Sequence, residues 1–155
     1  MNTLQDHLVY LLEEGGAHAT FESTVEDFPV DLRGVRPEGM PHSGWELLDH
    51  MRIAQWDILE FSRDPKHVSP DFPKGYWPQT PAPAHKGDWD QAVKSFLRDR
   101  KGLVELARST PDLLAPIPHG DGQTVLREIL LAADHNAYHL GQLLLVRRLL
   151  GAWGK

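Results

Sequence analysis

The chain has 155 residues, 41% of them hydrophobic, enough for one compact domain with its own core and too few for two ordinary ones, so residues 1–155 are read as a single unit. A formal net charge of −6 and a pI near 5.8 argue against a non-specific nucleic-acid or anionic-membrane binder, because both need a dense cationic face. There is no cysteine, so the chain supplies no disulfide, no thiolate ligand and no cysteine nucleophile of its own.

No apolar stretch approaches the ~20 residues that span a bilayer. The opening M-N-T-L-Q-D-H carries an acid before any apolar run and lacks a small-residue cleavage signature. A cytoplasmic location is expected.

Helix punctuation divides the chain into four helical segments and two long connections. The first segment covers about residues 2–26, starting near Asn2, with Leu4, Leu8, Leu11 and Leu12 at helical spacing and a bend expected at Gly15-Gly16. Three prolines and two glycines between Phe28 and His42 make an extended connection. Ser43-Gly44-Trp45-Glu46 then matches a capping box, in which the serine hydroxyl and the glutamate carboxylate satisfy free amide donors. The second helix runs from there to about Arg63, where Asp64-Pro65 stops it.

Six prolines lie between Pro65 and Lys86, among His67, Phe72, Tyr76, Trp77 and His85. A connection of ~20 residues without structure of its own is uncommon in a compact domain, so it is either a long crossover packed by its aromatics or part of a binding site. The packed crossover is the preferred reading. Asp88-Trp89-Asp90-Gln91 resembles another cap and opens a third helix to Ser109, ended by Thr110-Pro111. The last helix follows Thr124 and reaches about Leu150, with Gly151 as its stop. Nothing repeats and nothing alternates as a strand, so the fold class is all-α.

Three histidines stand out on these helices. Taking His135 as zero on the last helix at ~100° per residue, His139 falls at about +40°, Gln142 at about −20° and Glu128 at about +20°. Leu131, Ala132, Leu143, Val146 and Leu149 flank this sector, while Asp134, Arg147 and Arg148 are expected to point elsewhere. The polar line should therefore face the interior. On the second helix Leu47, Met51, Ala54, Ile58 and Phe61 form an apolar stripe, with His50 at its edge and Asp57 two turns further on the same side. If the two helices pack together, His50 completes a set of three nitrogen ligands with His135 and His139. Three protein ligands leave positions open, as in reactive rather than purely structural sites.

With nine histidines present, a pair at four-residue spacing is a weak motif by itself. The weight comes from its setting on an apolar helix beside other polar residues, since buried imidazoles need partners. The alternative is a set of core histidines hydrogen-bonded to Glu128, Asp57, Tyr138 or backbone carbonyls. Asn136 follows the first histidine of the pair where an H-E-x-x-H metalloprotease carries its glutamate base, which argues against that class. The last helix also lacks the Glu-x-x-His pair of di-iron bundles.

The segments W-E-L-L-D-H-M-R-I-A-Q-W-D, from Trp45 to Asp57, and A-D-H-N-A-Y-H-L-G-Q, from Ala133 to Gln142, resemble the DinB-like superfamily of metal-binding helical bundles. That resemblance implies a four-helix bundle of up-down-down-up order, with the Pro-rich crossover between helices two and three. It also implies a frequent homodimer and a divalent ion such as zinc or nickel on His50, His135 and His139. Characterised members of that superfamily include S-transferases that use low-molecular-weight thiols such as bacillithiol or mycothiol, and a thiol-dependent maleylpyruvate isomerase. The resemblance thus implies a metal-dependent thiol S-transferase acting on a small molecule.

Metal-assisted hydrolysis at the same three histidines, with Glu128 or Asp57 as base, and a non-enzymatic stress-associated metal-binding bundle are the alternatives. Gln142 and Tyr138 are candidate donors behind the ligands, although surface hydrogen bonding is the expected role of Tyr138. His18 is expected at the surface or behind the ligands. His7, His42, His67, His85 and His119 are assigned no role, and the five tryptophans are read as core packing.

Overall fold

A computed structural model describes residues 3–154. Five α-helices lie among them: α1 (Leu4–Glu14), α2 (Phe21–Val25), α3 (Gly44–Arg63), α4 (Asp88–Ser109) and α5 (Val125–Leu149). No strand forms among the described residues, only an isolated antiparallel bridge between Pro116 and Thr124. The all-α class holds. None of the helices is long and apolar enough to cross a membrane.

The expected first helix is in fact two, and its expected start at Asn2 lies outside the described residues. Thr3 caps α1 by accepting from Asp6 N, and Leu8, Val9 and Leu12 form its buried stripe. Gly15 and Gly16 then adopt φ of 66° and 85°. A right-handed helix cannot pass through that region, so the chain ends α1 there rather than bending. It restarts behind the Thr20 cap of α2.

The capping box of α3 is present: Ser43 Oγ accepts from Glu46 N at 3.2 Å, and Glu46 Oε2 accepts from Ser43 N at 2.8 Å. The second cap differs from expectation. Gly87 is the N-cap of α4 and offers no side-chain acceptor, while Asp88 Oδ2 reaches back to accept from His85 N at 2.8 Å. Thr124 caps α5 as the sequence indicates.

Two apolar clusters hold these helices together. One joins Leu8 and Leu12 of α1, Ile58 and Leu59 of α3, Leu103 and Val104 of α4, and Ile129 and Ala132 of α5. The other joins Phe21 of α2, Leu47 and Met51 of α3, Trp89 and Phe96 of α4, and Leu143 and Val146 of α5. Each fully buried side chain of this kind contributes roughly 1.5–3 kcal/mol relative to exposure. Between the clusters lies a buried amide: Gln55 of α3 donates to the Phe96 carbonyl at 2.7 Å and accepts from Asn136 Nδ2 at 2.8 Å. A buried amide left unpaired costs about 1–3 kcal/mol, so this chain of bonds fixes α3 and α4 against α5 at the residue next to His135.

Candidate metal centre

Burial along α5 shows which face is inward. Ala132, His139, Leu140, Leu143 and Val146 are buried, whereas Leu131, Tyr138, Leu145 and Leu149 are exposed. On the wheel with His135 at zero, that inward face is centred near about +80°. His135 and Gln142 therefore sit on its rim, half-buried, and His139 lies inside it. The same shift corrects two expectations. Leu131 and Leu149 fall outside the core, and Arg147, at about +120°, is buried rather than pointing away. Its guanidinium donates to the carbonyls of Thr24 at 2.8 Å, Ser23 at 3.3 Å and Ala152 at 2.8 Å.

His50 comes from α3, which packs against α5, and it meets the pair at this rim. His50 Nε2 lies 3.1 Å from His139 Nε2 and 3.1 Å from His135 Nε2. One nitrogen from each ring falls within 4.8 Å of the others, a group that could hold a metal ion.

The second nitrogen of each ring decides what the first can do. His50 Nδ1 is 2.7 Å from the Tyr76 carbonyl, and His139 Nδ1 is 2.7 Å from Gln142 Oε1. Both partners are acceptors, so both Nδ1 atoms carry the proton and donate. The two Nε2 atoms are then bare lone pairs aimed at each other. Neutral imidazoles in that arrangement repel unless an electrophile lies between them. Three nitrogens on one zinc ion, at about 2.0–2.1 Å and tetrahedral angles, are about 3.3 Å apart, close to the 3.1 Å that separates His50 Nε2 from each of the other two.

His135 differs, since its Nδ1 is buried without a hydrogen-bond partner. Burial, reinforced by the neighbouring rings, pulls the pKa of His50 and of His135 down to about 4. Burial also lowers that of His139. All three are neutral at pH 7, the form that ligates. The donor set therefore fits a divalent ion of the transition-metal kind that imidazole binds.

The family model of the DinB superfamily matches residues 15–143. The chain belongs to the DinB superfamily. No curated protein and no solved structure matches it.

Other residues of this DinB-superfamily chain fall into place around the group. Gln142 supports His139, as above. Tyr138 is 65% exposed and turns its ring edge-on to His139 at 4.8 Å between centroids. Glu128 is buried but forms its ion pair with Arg127, and two turns of helix, about 10 Å, separate it from His135. Asp57 is buried too, and its carboxylate accepts from Tyr76 Oη at 2.6 Å and His67 Nε2 at 2.7 Å rather than from a histidine of the group. His18 is exposed; it lines a small cavity with Phe21, Phe96 and Asn136 to which none of the three histidines contributes.

What sequence reasoning missed lies in the Pro-rich connection. It contains a single 3-10 turn, Lys74–Tyr76, and it covers the site instead of only crossing over. Trp77 stacks flat on His50, with centroids 3.9 Å apart and planes 1° from parallel, and His42 stacks on Trp77 at 4.0 Å. His42 and His67, given no role from sequence, thus take part in this layer, while Phe72 is 88% exposed and packs nothing inward. No periodicity marks residues in irregular chain. The available signal was the length of the connection itself.

Proposed function

We propose that this DinB-superfamily chain is a divalent-metal-dependent enzyme that transfers the sulfur of a low-molecular-weight thiol to a small electrophile, with His50, His135 and His139 as ligands of zinc or nickel. The observation that carries the reading is the pair of facing Nε2 lone pairs on His50 and His139, each enforced by an acceptor at Nδ1. Three ligands leave room for a further one, and a bound divalent ion would lower the pKa of a thiol at that position. The chain has no cysteine, so the attacking sulfur must arrive with the thiol. In the transfer a carbon–sulfur bond forms, the leaving group departs with its electron pair, and the thiol proton passes to solvent. Hydrolysis is the weaker reading, because both acids available as base are engaged: Asp57 by Tyr76 and His67, Glu128 by Arg127.

The same reading carries an up-down-down-up four-helix bundle of α1, α3, α4 and α5. It is supported by the clusters above, in which the first halves of α3 and α4 pack with the second half of α5. Parallel α3 and α4 need a long connection between them. It also carries a cytoplasmic homodimer, for which exposed Leu130, Leu145 and Leu149 on α5 offer an apolar surface. Light scattering on the purified chain tests the dimer.

The central test is metal analysis of protein purified without chelator or affinity-tag metal, followed by turnover of an aryl halide with low-molecular-weight thiols. Metal-dependent thioether formation is expected. A metal-loaded chain that neither binds thiols nor consumes the electrophile overturns the transferase.

A further inference from the structure

Two turns along α3 from His50, a buried acid meets a phenol and a histidine that are themselves half-buried. Asp57 stands seven residues after His50 on α3 and is 8% exposed. Its Oδ2 accepts from Tyr76 Oη at 2.6 Å and its Oδ1 from His67 Nε2 at 2.7 Å. Both donors belong to the connection between α3 and α4. Hydrogen bonds to an ionised acceptor are roughly twice as strong as neutral ones, so one buried carboxylate pins this connection at two points. The Tyr76 hydroxyl keeps its proton, because burial and the Asp57 carboxylate push its pKa up to about 12.

Tyr76 in turn grips His50 from the other end of the residue. Its main-chain carbonyl accepts from His50 Nδ1 at 2.7 Å, and the next side chain, Trp77, lies flat on the same imidazole. One ring is thus held at its edge by a carbonyl and at its face by an indole. Both contacts come from consecutive residues of a segment with no helix or strand of its own to hold it beyond one 3-10 turn. Ser43 holds the connection further on, where its hydroxyl donates to the Pro81 carbonyl, and Asp57 is the anchor at Tyr76 itself.

We infer that Asp57 is a positioning residue for His50: through Tyr76 it fixes the tautomer and plane of the imidazole, keeping Nε2 bare and directed at His135 and His139. The inference rests on the reading that these three histidines hold a divalent ion. It also gives Asp57 a role that excludes service as a base, since both of its oxygens are engaged by donors.

The test uses the full chain with Tyr76→Phe, which removes only the hydroxyl, and Asp57→Asn, which leaves one acceptor oxygen of two. Ser62→Ala is the control: Ser62 is a buried residue of the same helix whose hydroxyl donates to the Ile58 carbonyl at 2.7 Å, within the helix itself. Ring-nitrogen NMR on metal-free protein reads the His50 tautomer, and competition with a chelator of known affinity reads zinc binding.

Wild type is expected to hold a single Nδ1–H tautomer at His50. Tyr76→Phe and Asp57→Asn are expected to give a mixture of tautomers and about 10-fold weaker zinc binding, in the range typical of outer partners of a ligating histidine. Ser62→Ala should change neither. A His50 tautomer unchanged in both variants overturns the inference, as does a control that mixes tautomers to the same degree. If wild type binds no zinc, the metal reading fails by itself, and the ring-nitrogen spectra still decide the role of Asp57. Should Asp57→Asn fail to fold, Tyr76→Phe carries the test alone.

Discussion

The Nε2 atoms of His50 and His139 face one another at 3.1 Å, each stripped of its proton by an acceptor bound to Nδ1 of the same ring. Two neutral acceptors do not hold each other at that distance. The arrangement gains stability when a cation is shared, and most of what can be measured on this chain follows from that.

Metal binding should appear first as stabilisation. A ligand at 100 times its Kd adds about 2.7 kcal/mol to unfolding, and in a domain of this size each kcal/mol moves Tm by about 2–4 °C. Zinc or nickel at that excess is expected to raise Tm by about 5–10 °C. His139→Ala should abolish the shift in calorimetry, and an undiminished shift in that variant would sink the shared site.

The metal-free protein should lose stability in mild acid. His50 and His135 titrate near 4 when folded, against an ordinary 6.5 in the unfolded chain. Between those values the unfolded state binds more protons, so stability is fully present above about pH 6.5, falls as pH drops towards 4, and levels off below it. Each unit of depression is worth about 1.4 kcal/mol before the mutual coupling of the rings is discounted. Urea denaturation between pH 7 and pH 4.5 in the presence of a chelator checks this, and His50→Asn should flatten the dependence.

Trp77 should report on the ion. Its ring lies 3.9 Å from that of His50, whereas Trp45 and Trp89 are packed in the core. Nickel is expected to quench tryptophan fluorescence, and Trp77→Phe should remove most of the quench while nickel still binds. Equal quenching in wild type and variant would mean that the indole does not cover the site.

Arg147 should matter far more than its neighbour. Its buried guanidinium satisfies carbonyls of Ser23, Thr24 and Ala152, while Arg148 is exposed. Arg147→Met leaves those carbonyls without donors and is expected to cost about 2–4 kcal/mol in urea denaturation, against less than about 0.5 kcal/mol for Arg148→Ala. Arg147→Lys should restore little, because one ammonium cannot span the three acceptors.

Local chemistry was legible in the chain. The Ser43–Glu46 capping box, the stop at Asp64-Pro65, the Thr124 cap and the stripe of Leu47, Met51, Ala54 and Ile58 depend on residues three or four apart, and the sequence determines them directly. So was the histidine triad, since His135 and His139 share a helix face and His50 sits at the edge of another apolar stripe.

Tertiary structure decided what no spacing encodes. Which side of α5 faces inward depends on how α3 and α4 pack on it, so the buried sector turned out to be rotated, bringing Arg147 inside and leaving His135 at the rim. The tautomers of His50 and His139 follow from acceptors on Tyr76 and Gln142, the first of them 26 residues away along the chain. Irregular chain such as the Pro-rich connection carries no period from which contacts can be read. Only the folded contacts of Asp57 with Tyr76 and His67, and of Trp77 with His50, turn that connection from a link between helices into a wall of the site.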